Sequence, residues 1–105
     1  MSVRDNLSGS AKPTEQVTFD VSAGAYTTSG DSQHWLYVPC FGYSKIKVNS
    51  RNEYGPGSSY DLVNVGTYNI SEGATSYYLG RVRDNTGWGH NPAYKILKYN
   101  ITLIP

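Results

Sequence analysis

Apolar residues recur at every second position through most of the chain, the spacing of strands that bury one face. Gln16–Val21 carries Val17, Phe19 and Val21 on one side. A break at Ser22–Gly24 separates it from a short element, Ala25–Thr28, and the following SGDSQ reads as a turn pivoting on Gly30 and Asp31. The stretch His34–Ser50 then forms two strands joined at a corner. His34–Val38 is apolar on both faces, with Trp35 and Tyr37 on one and Leu36 and Val38 on the other, which predicts a strand at the centre of a sandwich with Trp35 in the core. Pro39 ends its pairing, and Gly42 is free to take a positive φ in the turn Cys40–Ser44. Lys45–Ser50 alternates, Ile46 and Val48 inward and Lys45, Lys47 and Asn49 outward.

Beyond it, RNEYGPGSS (51–59) reads as a loop. Tyr60–Val65 and Tyr68–Ile70 are apolar runs divided by Gly66, and Ser71-Glu72-Gly73 is a turn. Ser76–Val82 predicts a strand with Tyr77, Leu79 and Arg81 on one face and Tyr78, Gly80 and Val82 on the other. DNTGWGHNP (84–92) is a polar loop before the longest strand, Ala93–Ile104, which puts Leu97, Tyr99, Ile101 and Leu103 on one face. No segment has the spacing of an amphipathic helix. The pattern predicts an all-β fold: a single antiparallel β-sandwich, jelly-roll-like, of about eight short strands.

The chain's 105 residues suit one domain, a sandwich over 16–105 behind a flexible polar N-terminal arm over 1–15. Nine Lys and Arg balance eight Asp and Glu, so no basic excess points to nucleic acid or to an anionic membrane. The polar N-terminus does not resemble a signal peptide and no apolar run is long enough to span a bilayer, which predicts synthesis in a cytoplasm without an export signal. Ten tyrosines against two phenylalanines suit either half-buried sheet faces or a binding face.

Candidate chemistry is sparse. Cys40, His34 and His90 are the only thiol and imidazoles, and nothing in their spacing joins them as nucleophile and base. Cys40 reads as a small buried hydrophobe. The carboxylates are scattered and show no facing pair of the kind a glycosidase uses. We therefore expect no enzymatic activity and no cofactor. Asp84 and Asn85 with nearby carbonyls could offer oxygens to calcium, but an Asx turn is the favoured explanation. Arg81 and Arg83 share one strand face, and Lys45 and Lys47 another; together they could form a weak basic patch, or simply a solvated surface.

The residues with most binding character lie in 84–92. Trp88 stands between Gly87 and Gly89, which either leave its indole uncovered or let it fold back as a plug over the end of the sandwich, and Asp84, Asn85, His90 and Asn91 add donors and acceptors nearby. A planar apolar ring among hydrogen-bonding groups suits a sugar and equally a protein hot spot. Tyr54, beside Gly55-Pro56-Gly57, is the candidate partner from the other loop.

Two fragments, YVPCFGYSKIKV and ILKYNITLIP, resemble the corner and the terminal strand of small β-rich bacteriophage tail, tail-fibre and virion-associated domains. The resemblance implies a virion-associated role in host-surface attachment or particle decoration and carries over no binding residue. The expected function is a non-catalytic module for a cell-surface glycan or other host receptor. The alternative is a structural virion protein that docks on other virion proteins, or self-associates, through its sheet.

Overall fold

The computed structural model describes residues 13–27, 30–84 and 93–105. Over these described residues it is an all-β sandwich of seven antiparallel strands: β1 (Val17–Thr27), β2 (Ser32–Pro39), β3 (Lys45–Tyr54), β4 (Ser58–Tyr60), β5 (Gly66–Asn69), β6 (Ser76–Asp84) and β7 (Ala93–Ile104). One sheet has the order β1-β7-β3-β5 and the other β2-β6-β4. Consecutive strands therefore always lie in opposite sheets. This alternation, with the last strand returning between β1 and β3, is the nested winding of a jelly roll.

The core forms where alternation sets apolar side chains of the two sheets face to face. Ile46 and Val48 of β3 and Leu97, Tyr99, Ile101 and Leu103 of β7 meet Leu36 and Val38 of β2 and Leu79 and Val82 of β6. Tyr99 is fully buried, and its hydroxyl has one proton to share between the carbonyls of Val63 (2.8 Å) and Leu79 (3.0 Å). Burial pushes the Tyr99 phenol above its ordinary pKa.

Several sequence expectations are corrected. The first two predicted strands are one: β1 runs through Ser22–Gly24 and pairs residue for residue with β7, from Val17 opposite Leu103 to Thr27 opposite Ala93. Ala23 and Ala25 keep the inward parity, so the small residues narrow the strand without ending it. The predicted loop 51–59 shrinks to 55–57, because β3 continues to Tyr54 along β7. Residues 61–65 are irregular rather than a strand. The strand expected at the centre, β2, is an edge strand. It buries Leu36 and Val38 only; Trp35 and Tyr37 are 52% and 53% exposed. Chain direction at the corner is as expected: Tyr43 N–H donates to the Cys40 carbonyl (3.1 Å), Gly42 has φ 93°, and the chain crosses between sheets.

Strict alternation fails in β6. Leu36 lies opposite Gly80 and Tyr37 opposite Tyr78, leaving Leu79 as the extra residue of a β-bulge. Gly80 has φ 154°, and a Cβ there would lie 2.6 Å from the side chain of Leu62, so the bulge requires glycine. The bulge shifts parity: Leu79 and Val82 both point into the core, while Tyr78 and Arg81 both reach the outer face.

Candidate functional site

Four of the six residues proposed to bind ligand, Asn85, Trp88, His90 and Asn91, lie outside the described residues. Asp84 ends β6 with no exposed surface, and its carboxylate accepts the Thr27 N–H at 3.1 Å. That bond ties β6 to β1 across the sandwich. Tyr54 is about half exposed at the end of β3, opposite Ile96. Gly55, at φ 98°, packs against the carbonyl and ring of Tyr94, and Gly57 N–H donates to the Tyr94 carbonyl at 2.9 Å. The Tyr54 turn and the start of β7 therefore share one end of the sandwich. Tyr54 joins Tyr26, Tyr94 and Ile96 in an exposed patch on the outer face of the four-stranded sheet.

A second aromatic surface was missed by the sequence reading. On the outer face of β2-β6-β4, Trp35 of β2 lies opposite Arg81 of β6, which in turn lies opposite Tyr60 of β4. The Arg81 guanidinium carbon is 4.5 Å from the Tyr60 ring centroid and 6.0 Å from that of Trp35, a cation flanked by two π-faces. Next to them Tyr37 and Tyr78 pack with ring centroids 5.1 Å apart and planes at 42°. Polar groups border the rings. Arg81 Nη1 donates to Gln33 Oε1 (3.2 Å), and the Tyr78 hydroxyl donates to Asp61 Oδ2 (3.2 Å). Burial, and then the Asp61 carboxylate, raise the Tyr78 phenol above its ordinary value.

The charges sort differently from the expected basic patch. Arg83 is engaged by Asp31 through two hydrogen bonds of 3.0 and 2.9 Å. Lys45 and Lys47 belong to β3, in the other sheet, so the four cations do not combine. A separate charged group sits where β3 leaves the core: Glu53 accepts the Ser59 hydroxyl and pairs with Lys95 (3.6 Å) and Arg51 (3.8 Å).

Cys40 is buried, its thiol directed to the Ala74 carbonyl at 3.9 Å, and burial pushes its pKa up; His34 is exposed on β2. Among the described residues no three His, Cys, Asp or Glu side chains converge to hold a metal ion. At the end of the sandwich opposite Tyr54, the corner 41–44 and the turn 70–73 enclose an open cleft of about 440 Å³, lined by Phe41, Tyr43, Ile70 and Glu72. The ring of Pro13, the first described residue, lies against Gly42 beside it.

The sequence contained a signal for the aromatic face. Gln33 and Pro39 share parity with Trp35 and Tyr37, and a fully buried face would not carry a Gln at one end and a Pro at the other. Compared with known proteins, the chain matches no family model, no curated protein and no solved structure.

Proposed function

We propose that the protein is a non-catalytic binding module that takes carbohydrate on the outer face of the β2-β6-β4 sheet. The observation that carries the reading is the row Trp35–Arg81–Tyr60 with Tyr37 and Tyr78 beside it. Sugar rings present C–H faces that stack on aromatic planes and hydroxyls that need donors and acceptors. This surface supplies both, with Gln33 and Asp61 at its margin. Solvent-exposed Trp and Tyr in such number contribute nothing to the core and leave apolar surface in water, which is the usual mark of a recognition site. Jelly rolls recur among lectins and capsid proteins, an analogy of fold that adds weight but assigns no residue. The likeness of YVPCFGYSKIKV and ILKYNITLIP to phage tail domains supports a virion setting, with host-surface attachment as the role.

The test is a glycan array read with the wild type and with Trp35→Ala. We expect binding that the substitution weakens by about 2 kcal/mol or more, as for an aromatic hot spot, while thermal stability stays near wild type because the indole is outside the core. Binding unaffected by Trp35→Ala would move the site elsewhere, and absence of any glycan binding would remove the reading. The patch Tyr26, Tyr54, Tyr94 and Ile96 favours a second reading, a structural protein that docks through its other sheet. Light-scattering mass on the same preparation separates the two: a monomer with glycan affinity fits the first, an oligomer without it the second.

A further inference from the structure

We infer that the carbohydrate taken by this face is acidic, a carboxylate-bearing sugar whose charge is met by Arg81. The inference rests on the binding reading above and specifies its ligand.

Three observations carry it. First, Arg81 sits at the middle of the row, on the central strand of its sheet, so a ligand lying across Trp35 and Tyr60 passes over its guanidinium. Second, its charge is not matched. Among the described residues the guanidinium reaches one acceptor, the neutral Gln33 amide oxygen, and its Nε is enclosed without a hydrogen-bond partner. Arg83, two residues along the same strand, provides the contrast: both oxygens of Asp31 engage it. Third, the head group is held in place by rings. Stacking orients a guanidinium, and with Nε enclosed and Nη1 bonded to Gln33 the remaining terminal Nη N–H bonds are the ones left to donate to a carboxylate. A partly enclosed cation without an anionic partner is costly to keep, and an acidic ligand removes that cost.

The same pairing of aromatics with arginine serves single-stranded nucleic acid, but that requires a run of cations along the backbone. Here Arg83 is neutralised and the net charge of the chain is +1, so one unmatched cation suits one carboxylate per sugar.

The experiment uses the full chain and a panel of uronate- and sialate-bearing oligosaccharides, each beside its carboxyl-reduced neutral counterpart, with single-stranded oligonucleotides as a further arm. We expect at least one acidic member to bind about tenfold or more tighter than its neutral counterpart, an advantage that falls with added salt. Arg81→Gln should erase that preference, while Arg81→Lys, which keeps the charge but not the fork, should retain part of it. Melting temperatures of the variants establish that they are folded. Equal binding of acidic and neutral partners, lost in Trp35→Ala, overturns the inference and leaves the binding reading standing. Binding of oligonucleotides alone, or of no member, overturns both.

Discussion

Glu53 takes the core-facing parity of β3 through a displacement, while remaining exposed near the end of the strand. Val48 lies opposite Ile101 and Ser50 opposite Asn100, so Asn49 is an extra residue, and beyond it Arg51 and Glu53 share the face of Tyr99 and Leu97. Asn49 itself turns outward, donating to Asn100 Oδ1 (3.0 Å) and Thr102 Oγ1 (2.9 Å). A carboxylate on that face, exposed at the open end of the sandwich, finds its partners there. The Ser59 hydroxyl, then the Lys95 and Arg51 charges, hold the Glu53 carboxyl below its ordinary range, against the opposing effect of burial. The folded group therefore titrates at lower pH than the unfolded one. Between those two pH values the unfolded chain binds a proton that the folded chain does not, so stability rises with pH there. The contribution is complete above the ordinary carboxylate range, about pH 4–5, and is lost as pH falls through the folded value. Glu53→Gln should melt below wild type at about pH 7, and the gap should narrow as pH falls through and below the ordinary carboxylate range. Thermal melts of both proteins across that interval check this; a gap that persists unchanged in acid would mean that the carboxylate charge is not what matters at this position.

At the scale of elements, what was legible in the sequence was each strand with an unbroken period of two. β7 carries Leu97, Tyr99, Ile101 and Leu103 at strict spacing and was read to its final residue, and β3 was recognised from Ile46 and Val48. In β6 and β3 the misreading has one cause: an inserted residue exchanges the faces downstream. The bulge at Leu79 places Tyr78 and Arg81 on one outer face, and the one at Asn49 turns Tyr54 outward, where uninterrupted alternation would bury it. A bulge leaves no apolar signature of its own; Gly80 was its only mark, and glycine has many other uses. Glycine also governs the turn from β3 to β4. Gly55 combines φ 98° with contact against the Tyr94 backbone and ring, so a methyl group there is both strained and crowded. Gly55→Ala should cost about 2–3 kcal/mol in urea unfolding. A loss below about 0.5 kcal/mol, the range of ordinary surface substitutions, would show that the turn can move away from β7 without harm.

For the whole molecule, alternate placement of consecutive strands in two sheets has a consequence for function. Among the described residues the connections cross an end of the sandwich and leave the outer sheet faces to present side chains fixed by strand pairing. The aromatic row uses this: β2, β6 and β4 hold Trp35, Arg81 and Tyr60 in register on a rigid surface. The parity of Gln33 and Pro39 marks the outer face of β2 in the sequence, but not the row itself, which is assembled from three segments whose order in the sheet, 2-6-4, no local pattern encodes. Local reading points instead to the most conspicuous single segment, Gly87-Trp88-Gly89, which stands out by its residue types alone. The two candidates are linked, since β6, which carries Arg81, leads directly into residues 85–92. Measuring glycan affinity and thermal stability for Trp35→Ala, Trp88→Ala and the double variant separates them. If the face alone binds, Trp35→Ala costs about 2 kcal/mol or more of binding and Trp88→Ala leaves it unchanged. If both rings touch one ligand, each single change weakens binding and the double variant departs from the sum of the two, because contacts to a shared ligand couple. The expected result is the first: loss with Trp35→Ala alone and melting temperatures near wild type for that variant. Loss confined to Trp88→Ala would transfer the site from the sheet to the loop, and would leave the uncompensated Arg81 between its two rings to be explained by some contact other than sugar.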